Sequence, residues 1–250
     1  MARDPYKDFA ERYDLFFPNF EEHDPDKTEF FRKLFDDNGV RSVLDCACGT
    51  GRDLYLFHTL GLNVCGADRS EAMLDQAEAN LARHNLSIPL YEADYRELPK
   101  YFDGKFDAVT CLSTSVAEMR NELEVLRAFR SMREVLRRGG VLVLTQSTTD
   151  KQWERKPRFI PAVNTRDFSR IFVIDYDKKG ARYNILDVFH GQDGSDFKVW
   201  SIDYARVFLK DDHERLLKTA GFRTMSFYGS YDFSPYSKEE SDRLIAVAIK

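Results

Sequence analysis

The stretch that decides the fold is VLDCACGTGRD, residues 43–53, in which an apolar run ends at Asp45 and leads through a Gly49-x-Gly51 turn into a helix candidate. Ligands of open α/β sheets bind beyond the carboxyl ends of the strands, and glycines let the backbone approach them closely. The dinucleotide fingerprint requires a further glycine where this chain has Leu54. A carboxylate at Asp45 also repels a pyrophosphate and suits a cationic ligand. The turn therefore predicts a cofactor site and argues against a dinucleotide.

Short β-branched runs alternate with amphipathic stretches on both sides of this turn. The strand candidates are RSVLD, LNVCGAD, SIPLYEAD, KFDAVTCLS and VLVLTQS. Such alternation predicts a parallel sheet with crossover helices. Ser70 is predicted to cap one of these helices, and Gly139 with Gly140 to end another.

The rest of the chain has a different pattern. A hairpin around Lys178-Lys179-Gly180 is predicted in RIFVIDYDKKGARYNILDVFH, and a third antiparallel strand in DFKVWSIDYARVFL. The last 41 residues predict a helix and two strands. Two helices are predicted near the start, over Tyr6 to Phe17 and Lys27 to Phe35. We predict one domain, 1–250, made of an N-terminal helical lid (1–38), a cofactor-binding core (39–148), an antiparallel insertion (149–209) and a C-terminal part with a helix and the last two strands (210–250).

Carboxylates end the second and third strands as well as the first. Asp68 ends LNVCGAD, and Asp94, followed by Tyr95, ends SIPLYEAD. A carboxylate at the end of the second strand can accept both hydroxyls of a ribose. Any one of these residues alone is explained by the preference of Asp for strand ends and helix caps. Three of them at one sheet edge, beside a glycine turn, indicate a ligand in the crevice.

In these motifs the sequence resembles the class I S-adenosylmethionine-dependent methyltransferases. The resemblance rests on the glycine turn, the acidic end of the second strand with the following helix that contains Met73, the Asp94 position, FDAVTCL and RRGGVLVLTQ. It implies an α/β Rossmann-like, doubly wound sheet of seven strands in the order 3-2-1-4-5-7-6, with strand 7 antiparallel. It also implies that the insertion forms part of the acceptor site.

The resemblance implies a cofactor, S-adenosyl-L-methionine, with S-adenosyl-L-homocysteine as product. Asp68 would bind the ribose hydroxyls, Met73 one face of the adenine, Asp94 with Tyr95 the adenine edge, and Leu112 would lie near the sulfonium. The cofactor-binding residues so implied are Tyr13, Lys27, Asp45, Ala47, Gly49, Gly51, Asp68, Arg69, Met73, Asp94, Tyr95 and Leu112. Of these, the backbone at Ala47 and Gly49 would hold the methionine moiety, and Tyr13 and Lys27 would reach its carboxylate.

Within that superfamily, the chain is similar to the glycine and sarcosine N-methyltransferases and the amino-sugar N-methyltransferases. The likeness rests on CGTGRD, CLSTSVAEM, the N-terminal lid and the antiparallel insertion. Two positions depart from that group. Thr114 replaces an expected Asn, and Ser147 stands where an Arg grips the substrate carboxylate. Because a carboxylate without a bidentate Arg loses its strongest partner, Ser147 argues against glycine as the acceptor.

The predicted reaction is N-methylation of a small amine, with no metal. An amine attacks only when neutral, so a nearby carboxylate or hydroxyl is needed to accept or relay its proton. The candidates near the end of the fourth strand are Ser113, Ser115 and Glu118, and those in the C-terminal YGSYDF stretch are Tyr228 and Tyr231. The residues of the insertion that are candidates for the acceptor wall are Trp153, Arg158, Tyr183, Trp200 and Tyr204.

Composition limits the partners. The 250 residues include 37 Lys and Arg against 42 Asp and Glu, a net charge of −5, which disfavours a nucleic-acid clamp. The chain has no apolar run long enough to span a membrane and no signal-like start, so we expect a cytoplasmic protein with a small-molecule acceptor. A homo-oligomer is compatible with these features.

Four other functions compete with N-methylation. A nucleic-acid base methyltransferase is disfavoured by the acidic balance and by CLSTS, which lacks the expected Asn or Asp followed by two prolines and an aromatic residue. A small-molecule O-methyltransferase would share the whole cofactor half. A nicotinamide dehydrogenase is opposed by Leu54 and the antiparallel end of the chain. A non-catalytic S-adenosylmethionine-binding module stays open.

Overall fold

The computed structural model describes residues 4, 6–17, 19–191 and 194–250. In these residues the chain forms two sheets. The strands are β1 (Ser42–Asp45), β2 (Asn63–Asp68), β3 (Leu90–Glu92), β4 (Phe106–Cys111), β5 (Leu136–Gln146), β6 (Phe159–Asn164), β7 (Phe168–Tyr176), β8 (Ala181–Gly191), β9 (Gly194–Tyr204), β10 (Thr224–Tyr228) and β11 (Leu244–Ile249).

Helices connect and cover these strands. They are α1 (Ala10–Tyr13), α2 (Pro25–Asp37), α3 (Arg52–Thr59), α4 (Glu71–Arg83), α5 (Glu122–Val135), α6 (Asp150–Arg155) and α7 (Lys210–Ala220), with 3-10 turns at Asp14–Phe16, Leu98–Lys100 and Ser115–Glu118. No helix in the described part of the chain is long and apolar enough to cross a membrane.

The larger sheet has seven strands in the order β3-β2-β1-β4-β5-β11-β10. The first five strands of the chain pair in parallel, whereas β11 is antiparallel to both β5 and β10, with Leu244 opposite Gln146. The predicted order and the antiparallel last strand are therefore confirmed. The carboxyl ends of β1, β2, β4 and β5 all lie at one edge, where the glycine turn is.

Both faces of this sheet are buried, which explains why its strands are continuous apolar runs. On one face, Leu44 and Leu142 pack with residues of α5 and α7 such as Phe129. On the other face, neighbouring residues of the same strands pack with an aromatic cluster from α2 and α3 that includes Phe31 and Phe57. The two-residue period of the strands thus divides one sheet between two cores.

Several predicted helix ends are corrected by the structure. The predicted helix over Tyr6 to Phe17 is reduced to α1 and the 3-10 turn after it, and residues 1–3, 5 and 18 of the predicted lid lie outside the described residues. The second lid helix starts earlier, at Pro25, because Asp24 caps it by accepting the Asp26 N–H at 3.0 Å. Ser70 caps α4 as predicted, accepting the Met73 N–H at 3.2 Å.

The helix stop predicted at Gly139 and Gly140 is wrong. Helix α5 ends at Val135, and the chain enters β5 directly because Leu136 pairs with Phe106 of β4. Both glycines therefore lie within β5.

The smaller sheet has the order β6-β7-β8-β9 and is antiparallel throughout. Its central hairpin turns between Tyr176 and Ala181, as predicted, and β9 is the predicted third strand. Strand β6 and helix α6 were not predicted from the sequence. Pro161 interrupts the strand pattern of β6, which is tolerated because β6 is an edge strand.

Candidate active site

A cavity of about 820 Å³ lies between the carboxyl edge of the larger sheet and one face of the smaller sheet, with residues 6–17 along its side. This volume is typical of sites for small molecules, which run from roughly 300 to 1,000 Å³. The predicted site residues that line it are Tyr13, Lys27, Asp45, Ala47, Gly49, Asp68, Arg69, Met73, Tyr95, Leu112, Ser113, Ser115, Glu118 and Tyr231. Gly51 and Asp94 do not line it.

The glycine turn between β1 and α3 forms the floor of the cavity. Gly49 has φ +53°, a left-handed conformation that favours glycine, and its N–H donates to Asp68 Oδ2 at 2.9 Å. Gly51 has φ +85°, and a Cβ added there would lie 3.2 Å from the Cβ of Ala77 in α4. The first glycine therefore shapes the cavity, and the second allows close packing of α4 against the turn.

Asp45 is a buried carboxylate at the end of β1. Burial, together with the charge of Asp53, raises its pKa from 3.8 to about 8. It accepts a long hydrogen bond from the Ala47 N–H at 3.4 Å. A cation placed beside a buried carboxyl stabilises its charged form. The Asp45 side chain therefore fits the ammonium and sulfonium groups of S-adenosylmethionine.

Asp68 connects the turn to the next strand end. Its Oδ2 accepts from Gly49 N–H and its Oδ1 from Ser70 N–H at 3.0 Å, while burial raises its pKa. Each carboxylate oxygen has two lone pairs, so both oxygens can accept a further hydrogen bond. Two acceptor oxygens placed side by side fit the two hydroxyl donors of a ribose diol.

Glu118 closes the same end of the cavity. Its carboxylate pairs with Arg69 and accepts the hydroxyl of Tyr6 at 2.5 Å. Burial raises its pKa, whereas Arg69 and Tyr6 lower it. Glu118 thus connects the N-terminal segment to the strand end that carries Asp68.

Asp94 and Tyr95 face different surroundings. Both Asp94 oxygens accept from Arg96 Nε at 2.9 Å, so this carboxylate points into an ion pair outside the cavity lining. Tyr95 is buried in the lining, and its hydroxyl donates to the Ser115 carbonyl at 2.9 Å. The adenine-edge role predicted for the Asp94 side chain therefore has no support from its position.

The loop after β4 carries backbone strain that the sequence did not indicate. Ser113 and Thr114 have φ +57° and +74°, values that residues with a side chain seldom adopt. The loop is held by Ser113 N–H donating to Thr145 Oγ1 at 2.9 Å, and by a 3.0 Å hydrogen bond between the hydroxyls of Thr114 and Ser147. Strain of this kind concentrates at functional sites.

The smaller sheet supplies the opposite wall. Of the residues predicted there, Tyr183, Trp200 and Tyr204 line the cavity, whereas Trp153 and Arg158 do not. Tyr183 is held by hydrogen bonds of its hydroxyl to Thr148 Oγ1 at 3.0 Å and Gln152 Nε2 at 3.1 Å. Trp153 instead packs on Tyr176, and Tyr228 also lies outside the lining.

Apart from Tyr13, the aromatic residues of the N-terminal segment that line the cavity were not predicted from the sequence. Phe9 stacks on Trp200 at 4.4 Å between ring centroids, and Phe16 on Phe172 at 5.8 Å. The density of aromatic residues in YKDFAERYDLFF was a signal, but it did not indicate the partner. Further lining residues that were not predicted include Tyr6, Phe17, Lys151, Arg155 and Arg243.

Comparisons with known proteins agree with this geometry. A methyltransferase domain model matches residues 43–140. The Bacillus subtilis protein YqeM, named as a methyltransferase, is 30% identical over 190 residues, which cover 72% of this chain and 73% of YqeM. This chain belongs to the S-adenosylmethionine-dependent methyltransferases.

Two further relatives of this methyltransferase are similar over nearly its whole length. The glycine/sarcosine N-methyltransferase of Aphanothece halophytica is 26% identical over 246 residues, which cover 97% of this chain and 88% of that protein. The structure of the sugar N-methyltransferase KedS8 from Streptoalloteichus sp. matches with a TM-score of 0.68 at 24% identity, covering 95% of this chain and 92% of that one. The second likeness supports the fold.

Proposed function

We propose that this methyltransferase transfers the methyl group of S-adenosylmethionine to an amine nitrogen of a small-molecule acceptor. The observation that carries the proposal is one cavity with two unlike halves. Its floor presents Asp45, Gly49 and Asp68, and its far wall presents Tyr183 and Trp200 of the smaller sheet. The two relatives described above are both named as N-methyltransferases, which favours nitrogen over oxygen.

The floor of the cavity would hold the cofactor. Asp45 and the backbone at Ala47 and Gly49 would bind its methionine end, Asp68 its ribose and Met73 its adenine. When bound, S-adenosylmethionine supplies a methyl group that is already activated by the positive sulfur. Most of the protein's task is therefore to align the acceptor with that methyl group.

The acceptor amine needs a group that takes a hydrogen bond from it. Among the described residues, the hydroxyls of Ser113 and Tyr231 line the cavity and make no hydrogen bond to the protein. Burial raises the pKa of Tyr231, so its phenol stays protonated at neutral pH and can relay a proton. We assign positioning roles to the other two candidates, because Ser115 Oγ donates to the Leu112 carbonyl at 2.8 Å and Glu118 is engaged by Arg69 and Tyr6.

Tyr231→Phe tests this assignment. It removes one hydroxyl and little packing, so we expect kcat on the best amine acceptor to fall by about 100-fold, the lower end of what a proton-transferring group contributes. The matched control is Tyr228→Phe, since Tyr228 contacts the same Phe30 ring but lies outside the cavity. A Tyr231→Phe enzyme with unchanged kcat would remove this residue from the reaction.

A further inference from the structure

Arg243 brings a positive charge to the cavity wall without a matching negative one. It lies just before β11, and among the described residues no carboxylate forms an ion pair with it. Three acids in this part of the cavity wall have other partners: Asp53 pairs with Lys27 at 2.5 Å, Asp242 pairs with Lys151 at 2.8 Å, and Asp24 accepts the Asp26 N–H at 3.0 Å as a helix cap. The Arg243 guanidinium is thus a cation without an ion-pair partner among the described residues, on a wall of the cavity.

The strand register places Arg243 beside the acceptor loop. Because Leu244 pairs with Gln146 in antiparallel β11 and β5, the next residues outward, Arg243 and Ser147, meet at the same end. Ser147 is hydrogen-bonded to Thr114 in the strained loop after β4. The Arg243 guanidinium also lies over the Tyr231 ring, 4.4 Å from its centroid. This contact covers one flat face of the guanidinium and leaves the N–H groups along its edge available to a ligand.

We propose that the acceptor is an amine that also carries an anionic oxygen group, a carboxylate or a phosphate, and that Arg243 binds this group. The inference rests on the proposed amine methylation and adds the class of acceptor. A guanidinium matches the two oxygens of either group in a bidentate geometry. The arginine absent from position 147 is thereby replaced from the neighbouring strand, and carboxylate-bearing acceptors become compatible with this site.

The test measures binding before turnover. Protein saturated with S-adenosylhomocysteine is titrated calorimetrically with matched amines: glycine against glycinamide, β-alanine against β-alaninamide, and aminomethylphosphonate for the phosphate-like group. We expect the anionic member of at least one pair, or the phosphonate, to bind at least about 10-fold more tightly than its neutral counterpart. Equal affinity throughout, or binding of none of them, would overturn the inference.

Variants assign the preference to one residue. Arg243→Met should abolish the preference for the anionic member, Arg243→Lys should keep part of it, and Arg223→Met, a change at an exposed arginine outside the cavity, should keep all of it. Affinity for S-adenosylhomocysteine should stay within about twofold in all three. If Arg243→Met instead weakens the binding of S-adenosylhomocysteine, Arg243 binds the cofactor and the inference is wrong.

The same ligands in a turnover assay separate this inference from the proposed function. If anionic amines bind through Arg243 but none is methylated, the proposed function fails while the binding site stands. If amines without an anionic group are methylated as well as those that carry one, the proposed function holds and the role assigned to Arg243 is wrong.

Discussion

At the residue scale, Asp45 makes the molecule sensitive to pH. Its pKa of about 8 in the folded chain lies above the 3.8 of an exposed Asp. A carboxyl with a raised pKa stabilises the fold fully below its unfolded pKa, and this contribution is lost as pH rises through the folded pKa. In the cofactor-free protein, the free energy of unfolding should therefore decrease between about pH 4 and pH 8 through this group.

Asp45→Asn should remove that part of the pH dependence. The measurement is chemical denaturation of both proteins, without cofactor, at several values between about pH 5 and pH 9. The wild-type curve should approach or fall below that of the variant as pH rises. Two curves that stay parallel would show that Asp45 titrates normally.

Asp68 and Asp94 give a matched pair of variants at two strand ends. Asp68→Ala removes a carboxylate that lines the cavity, and we expect S-adenosylhomocysteine to bind about 1.5–3 kcal/mol more weakly, the range for a hydrogen bond to a charged group. Asp94→Ala removes one that pairs with Arg96, so affinity should stay close to that of the wild type. Calorimetry measures the affinity of each variant for S-adenosylhomocysteine. An equal loss of affinity in both variants would contradict the assignment of Asp68 to the cofactor.

At the element scale, the N-terminal segment is held to the smaller sheet by a buried charge cluster. Arg12 pairs with Asp187, which is fully buried and also accepts from Arg170 Nε at 2.5 Å and Nη2 at 2.8 Å. Arg170 Nη2 in turn donates to the Arg12 carbonyl at 2.8 Å. Because Phe9 and Tyr13 of this segment line the cavity, the charge cluster holds one side of the cavity wall in place.

Arg12→Ala should loosen that attachment and leave the Arg170–Asp187 pair intact. We expect faster hydrogen exchange over residues 6–17 and weaker binding of S-adenosylhomocysteine, with little change in the rest of the chain. Arg158→Ala is the control, because its pair with Asp175 is exposed at 3.4 Å and such pairs contribute about 0–1 kcal/mol. Unchanged exchange in Arg12→Ala would show that the aromatic contacts alone hold the segment.

The elements that the sequence predicted best are those with local signals. The parallel core follows from periodicity and strand-end carboxylates, and the hairpin follows from Lys178-Lys179-Gly180. Strand β6 could not be predicted because its pairing with β7 decides its conformation. The strained φ angles of Ser113 and Thr114 were equally hidden, since they depend on hydrogen bonds to Thr145 and Ser147 about 32 residues away in the chain.

At the scale of the whole molecule, the site exists because two sheets of different construction meet. The parallel sheet collects the ends of four strands at one edge, and the antiparallel sheet supplies an aromatic wall. The motif near Asp45 and the carboxylate at the end of the second strand predicted residues that form the floor of the cavity, namely Asp45, Gly49 and Asp68. The opposite wall was predicted only in part. Tyr183, Trp200 and Tyr204 line it as expected, whereas the contact between Phe16 and Phe172 depends on tertiary packing that no local pattern encodes.

The measurement that tests the central claim most directly is S-adenosylhomocysteine release from purified protein and S-adenosylmethionine. The acceptors should include small amines, amino acids, amino sugars and hydroxylated aromatic compounds, with Asp68→Ala as the control. We predict turnover on an amine that Asp68→Ala strongly reduces at subsaturating cofactor. Turnover only on hydroxylated aromatic compounds, or bound cofactor that no acceptor in this set consumes, would contradict the account.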